Sequence, residues 1–318
     1  MRHSLRRILI VLAVFSTWLV SACGGPVPAT SMPPVSAPME TEEPEPISTE
    51  PVPTIEPTID PEFALPDFAA AKFEDPTAID NQYFPMVPGT KLVFDGFTEV
   101  AGRQIPHSII FTVTDLVKEI MGMRTVVAYI EDYSDGQLVE AEIAFYAQAN
   151  DGTVWFMGEY PEEYENGIMV DAPAWIPGFK GAQAGIVMQA NPQLNKPSYA
   201  QGWGPAVNWT DRGHVVGMED QVCVPVDCYS DVLVVEEFSQ TEPDAFQVKY
   251  YAPGVGNIKV SWRGEDASKE TLNLVEYLQL DPDALMEVRD IALALEAHAY
   301  EISKEVYDQT KPSEQVSP

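Results

Sequence analysis

The sequence predicts a mainly β fold, an antiparallel sandwich or open half-barrel, with a long C-terminal α-helix. Three observations predict it. Between about residues 80 and 280, apolar side chains recur at every second position, the period of a strand with one covered face. These runs are short and are broken by Gly, Pro, Asn and Asp, the residues that make tight turns. After residue 281 the spacing changes to threes and fours, which marks one face of a helix. The 318 residues are enough for one or two domains. With 18 Lys+Arg against 49 Asp+Glu, nucleic acid is excluded as a partner, because phosphate binding needs clustered cations. Anionic headgroups are disfavoured for the same reason.

At the N-terminus, Arg2, Arg6 and Arg7 precede an apolar run from Ile8 to Val20. The run has the length of a signal-peptide core and falls short of the ~20 residues of a comfortable membrane span. It ends in Val20-Ser21-Ala22-Cys23-Gly24. This string resembles the lipobox of bacterial lipoproteins, in which an aliphatic residue and two small residues precede a cysteine. The resemblance implies that residues 1–22 are a removed signal peptide and that Cys23 carries the lipid. It also implies a domain held by its anchor on the extracytoplasmic side of the cell membrane or outer membrane. The other reading is an ordinary secretory signal with an incidental cysteine. One acyl chain binds a membrane only marginally, whereas two or three hold it stably.

Residues 23–66 read as a tether. Twelve of the 28 prolines fall between Pro26 and Pro66, beside a series of glutamates, and there is no Lys or Arg between Arg7 and Lys72. Such a segment buries too little apolar surface to offset its backbone entropy and is expected to stay disordered and extended. It suits a spacer that lifts the following domain away from the membrane.

Residues 67–280 are the β-rich domain. Val139, Ala141, Ile143 and Phe145 alternate with Leu138, Glu140, Glu142 and Ala144, so the first set is read as the covered face and the second as the wet one. Ile109, Phe111 and Val113 repeat the pattern, as do Ile258, Val260 and Trp262. Val232 to Val235 is continuous and apolar, as in a strand covered on both faces. Asp135-Gly136, Asp151-Gly152 and Pro253-Gly254 are turn candidates. Residues 160–212, dense in proline, read as a long loop excursion. The strings NQYFPMVPGTKLVFDG (81–96), AFYAQANDGTVWFMGE (144–159), DVLVVEEF (231–238) and KYYAPGVGNIKV (249–260) are similar to an uncharacterised family of secreted bacterial β-rich proteins, many of them lipoproteins. That resemblance implies fold and export and names no activity.

Cys223 and Cys228 flank a four-residue connection between two strand-like segments. In an exported domain this spacing is expected to give a hairpin disulfide, and a redox pair or half a metal site are the rival readings. Asp281-Pro282 starts a helix, placed at 281–310, with Leu285, Val288, Ala292, Leu295, Ala299, Ile302 and Val306 as its apolar seam. The seam packs on the sheet or docks a partner. Residues 311–318 are expected to form a disordered tail.

No nucleophile elbow, phosphate loop or zinc spacing occurs, so no catalytic residue, metal or cofactor is expected. Among the tryptophans, Trp155 and Trp262 lie in strand patterns and read as core. Trp203 and Trp209 fall in the irregular segment and are the candidates for ligand contact, set against a loop folded on its own aromatics. The expected function is a membrane-anchored, non-catalytic β domain that binds a ligand or an envelope protein. The alternatives are an envelope lipid or lipoprotein carrier with an apolar concave sheet, and an acid-pair hydrolase.

Overall fold

The structure, a computed structural model, describes residues 64–316. The signal peptide, Cys23 and the tether up to residue 63 lie outside the described residues. Five long strands come first: β1 (Thr90–Val100), β2 (Arg103–Ile120), β3 (Met123–Ser134), β4 (Gln137–Gln148) and β5 (Val154–Glu165). Shorter ones follow: β6 (Ile168–Asp171), β7 (Gln183–Met188), β8 (Tyr199–Ala200) and β9 (Gly202–Trp203). The chain continues through β10 (Asp211–Cys223), β11 (Cys228–Ser239), β12 (Ala245–Ala252), β13 (Gly256–Gly264) and β14 (Thr271–Gln279). Helices α1 (Pro282–Ile302) and α2 (Lys304–Tyr307) precede a last short strand, β15 (Glu314–Gln315).

The strands form one antiparallel sheet, and its closure explains the fold. From β1 the order runs one way through β2, β3, β4, β5 and β7 to β9. The other way it runs through β14, β13, β12, β11 and β10 to β8. The two ends are neighbours in sequence. Ala200 pairs with Arg212 of β10, and Gly202 pairs with Ala184 of β7. A single five-residue strap therefore holds both edges, giving a nearly closed barrel rather than a sandwich and covering backbone that would otherwise be left unpaired. The first three hairpins turn through Ala101-Gly102, Met121-Gly122 and Asp135-Gly136, with positive φ at both residues. This is the type I′ geometry that matches strand twist.

Closure corrects two expectations. Residues 160–212 are not one loop: they complete β5 and supply β6 to β9, including the strap. The face of β4 read as wet points into the barrel, where Glu140 and Glu142 are only 3% exposed. Alternation separates two faces, but closure decides which of them meets water. The opposite face of β4, with Ala141, Ile143 and Phe145, is covered from outside by α1. The continuous run Val232 to Val235 is buried at every position, as expected.

Helix α1 starts where the sequence placed it. The Asp281 carboxylate accepts from Ala284 N at 2.9 Å, with Pro282 in the first turn. It ends earlier than residue 310, because the backbone breaks at Ser303 before α2. The break leaves Ile302 53% exposed, while Ala292, Leu295, Ala299, Val306 and Tyr307 pack on the outer face of the sheet. The segment read as a tail is ordered through residue 316: Glu314 and Gln315 pair with Val117 and Leu116 of β2. Trp155 is core, but Trp262 is 39% exposed, with the Lys269 ammonium 5.4 Å from its ring centre. The Cys223–Cys228 disulfide closes the β10–β11 hairpin.

Candidate functional site

The inner face of the barrel carries a belt of ionisable side chains that follows from strand register. His107 on β2, Asp132 on β3 and Glu140 and Glu142 on β4 all lie on the inward parity, since Ile109 pairs with Asp132 and Asp132 with Glu140. Glu159 joins them through a bulge. Between Phe156 and Glu159 three steps on β5 oppose two on β4, and the extra residue turns Glu159 inward. Gly158 makes this possible: its φ is +99°, and a Cβ there would stand 2.3 Å from the Trp175 carbonyl oxygen. On the far side, Glu237, Gln247 and Lys249 project from β11 and β12, with Glu237 paired to Gln247 in the ladder.

These groups split into two neighbourhoods. In the first, His107 Nε2 lies 2.8 Å from Glu270 Oε1 and His107 Nδ1 lies 3.4 Å from Asp132 Oδ1. Gln247 also donates to Glu270. Gly96, between His107 and Leu272 in the register, lets β14 approach closely, since a Cβ there would run into the Thr271 carbonyl. Burial disfavours the imidazolium, but the Glu270 hydrogen bond and the Asp132 charge outweigh it and lift His107 to about 9. Burial pushes Asp132 up to about 7 against the pull of His107. Burial would raise Glu270 as well, yet its hydrogen bond and attraction to His107 hold it below the usual carboxylate value.

The second neighbourhood is a row of carboxyls. Glu140 hydrogen-bonds Glu142, and Glu142 hydrogen-bonds Glu159. Two carboxyls can do so only if a proton is held between them. Burial raises all three, Glu142 to about 7 and Glu159 well above the carboxylate range; the Glu140 charge adds to the rise of Glu142, and the Glu142 charge to that of Glu159. Trp175 Nε1 donates to Glu159 at 3.1 Å. Across the interior Glu237 takes Lys249 Nζ at 2.6 Å, Gln201 Nε2 at 2.8 Å and the Tyr251 hydroxyl at 3.2 Å. Gln201 belongs to the strap, so barrel closure and site assembly are the same event.

Two adjoining chambers lie inside the belt. One, of about 110 Å³, is walled mainly by Phe84, Leu92, Phe94, Ile109, Phe111, Val260 and Leu272, with Glu270 at its margin. The other, of about 80 Å³, is walled by Glu142, Glu159, Asp211 and Glu237 with Phe156 and Trp209. Tyr146, Val187, Gln247 and Lys249 border both. Lys249 is the one Lys or Arg in either wall among the described residues.

The sequence-predicted candidates are only partly drawn together. Trp209 reaches the acid chamber but is itself buried in an aromatic stack, 4.9 Å from Trp175 and 5.3 Å from Phe156 between ring centres. Gly202 permits this stack, since a Cβ there would press within 2.6–2.7 Å of both indoles. Trp203 is half-buried on β9 and borders neither chamber. The disulfide is likewise absent from both walls. Among the described residues, no group of three or more His, Cys, Asp or Glu side chains has the arrangement of a metal site. The inner carboxyls were missed because alternation assigned them to solvent. The available signal was that the carboxyl-bearing face of the same strand continues into Ala144 and Tyr146.

No family model matches the chain, and no curated protein matches it. Among solved structures it is similar to a Bacteroides fragilis protein classed as exported, with a YmcC-like fold. The two share 13% identity at a TM-score of 0.39, over 62% of this chain and 99% of the other. It is also similar to a Parabacteroides distasonis protein classed as a lipoprotein, at 13% identity and a TM-score of 0.35, over 62% and 99%.

Proposed function

We propose that the chain is a lipid-anchored, extracytoplasmic, non-catalytic binding protein whose barrel holds one small ligand. The anchor rests on the basic residues, the apolar run and Cys23 in their order along the sequence. The ligand rests on a single observation: an apolar chamber opening beside a polar one inside the barrel. Apolar voids of this kind stay dry and accept apolar guests, and a few polar groups then fix orientation. Their size decides the class of guest. A void of ~150 Å³ takes one benzene ring, so these chambers suit one ring or short chain and not the paired tails of a whole lipid. That favours a binding protein over an envelope carrier.

The test is native mass spectrometry of the chain purified from its membrane. A bound small molecule is expected, and Leu272→Trp, which fills the apolar chamber, is expected to lose it. An empty barrel in both proteins contradicts the proposal. For the anchor, Cys23→Ser is expected to move the protein from the membrane fraction to the soluble one. Continued membrane attachment would rule the anchor out.

A second reading, the acid-pair hydrolase, is favoured by one observation. Glu142, raised to about 7 by burial, shares a chamber wall with the Lys249-paired Glu237. A proton donor facing a charged carboxylate is the arrangement of glycoside hydrolysis. Turnover of a panel of 4-nitrophenyl glycosides, lost in both Glu142→Gln and Glu237→Gln, would support it.

A further inference from the structure

We infer that the ligand is a small amphiphilic organic cation, a primary amine on a short hydrocarbon chain, with its ammonium in the acid chamber and its chain in the apolar one. The inference rests on the ligand-binding reading above and names the class of guest.

The walls of the acid chamber carry it. Glu142, Glu159 and Glu237 face the same space, and Lys249, the sole cation lining it among the described residues, is engaged by Glu237 at 2.6 Å. Glu142 and Glu159 have no cation of their own in this wall and are bridged by a proton, with Glu140 beyond Glu142 and Trp175 Nε1 on Glu159. A bound ammonium supplies positive charge and several N–H donors, so it can take the place of such protons. An anion would instead enter a space already walled by carboxyls.

The aromatic walls agree. Tyr146 and Phe156 stack with ring centres 5.1 Å apart, and Phe156 meets Trp209 at 5.3 Å. Aromatic faces beside carboxylates are the usual surroundings of a bound ammonium.

Tyr146 supplies an independent observation. It is 7% exposed, its ring walls both chambers, and its hydroxyl makes no hydrogen bond among the described residues. Glu142, Glu159 and Glu237 act on that hydroxyl and, with burial, keep its proton on. A phenol held in a chamber wall without a hydrogen bond is open to one that a guest supplies. This one borders the junction of the chambers, where the head of a guest would meet its chain. An ammonium N–H can donate to the phenol oxygen while the phenol O–H turns to a carboxylate.

The experiment is isothermal titration of the full chain in detergent with n-hexylammonium, 1-hexanol and hexanoate, each corrected for titration into detergent alone. Hexylammonium is expected to bind at least about tenfold tighter than the other two, the scale of one charge-assisted hydrogen bond. Glu142→Gln/Glu159→Gln should reduce its affinity to that of hexanol and leave hexanol unchanged. If that double variant does not fold, Tyr146→Phe, which keeps the ring and removes the acceptor, should weaken hexylammonium alone. Hexanol or hexanoate binding as tightly as hexylammonium overturns the cation while leaving the binding reading intact. No binding of any of the three overturns both.

Discussion

Two buried ionic clusters lie on opposite faces of the same sheet, and they are built differently. Outside, beneath α1, Lys118 is fully buried and all three of its N–H donors are used. They go to Glu296 at 2.6 Å, the Tyr300 hydroxyl at 3.2 Å and the Lys311 carbonyl at 2.7 Å. Glu296 is completed by Ser313 N and Oγ, both at 2.9 Å. Inside, Glu140, Glu142 and Glu159 face one another, and the Tyr146 hydroxyl makes no hydrogen bond among the described residues. A satisfied network specifies packing, whereas an incomplete one weakens the fold unless something else completes it. The outer cluster thus fastens the helix and the C-terminal strand, and the inner one is poised for a guest.

The largest expected effect comes from breaking the outer cluster. Lys118→Met leaves Glu296 buried without its cation and should cost about 3–5 kcal/mol, read as a lower urea midpoint. Lys118→Met/Glu296→Leu should recover much of that loss, because an apolar replacement of both partners removes the stranded charge. A negligible loss in the single variant would erase the contrast between the clusters.

Next comes the bulge that turns Glu159 inward. Gly158→Ala forces a side chain into a φ of +99° against the Trp175 carbonyl and should cost about 1–3 kcal/mol. Hexylammonium binding should fall with it, since Glu159 can no longer keep its place. A variant that binds normally would separate the bulge from the site.

The pH dependence sharpens the comparison from the inside. Asp132 and Glu142, each raised to about 7, stabilise the fold fully only below their unfolded values of 3.8 and 4.5. That contribution is lost as pH climbs to 7. His107, raised to about 9, adds stability below 6.5 and loses it by 9. Glu270 runs the other way: its lowered value stabilises the fold above the carboxylate range and is lost in acid. The urea midpoint should therefore decline from pH 5 to pH 9, and Glu142→Gln should flatten the part below pH 7. A midpoint that rises across this range contradicts protonated inner carboxyls.

Local physics made much of the fold legible in the sequence. The alternation of Ile109, Phe111 and Val113, the Asp135-Gly136 turn and the Asp281-Pro282 helix start each depend on a few adjacent residues, and each is found where it was expected. The Cys223–Cys228 hairpin is the same kind of local signal. What was not legible depends on closure. Glu140 and Glu142 look like solvent-facing residues until the strap at Tyr199–Trp203 seals the barrel around them. The strap is only two short ladders, and its Tyr-Ala-Gln-Gly-Trp stretch carries no strand pattern. Glu159 was further disguised by the bulge at Gly158, which breaks the parity that would have placed it. Trp203 and Trp209 drew notice as aromatics in a loop, whereas the chamber walls are mostly ordinary strand residues separated by more than a hundred positions.

The smallest expected change in stability is also the most decisive. Glu142→Gln/Glu159→Gln removes the strained carboxyl pair and keeps its shape, so the urea midpoint at pH 8 should stay level or rise by about 1 kcal/mol in stability, as when a functional site is relieved. Hexylammonium binding should be lost in the same protein. A drop of about 3 kcal/mol or more, on the scale of the outer Lys118 pair, would show that the inner carboxyls hold the barrel together and are not kept for a ligand.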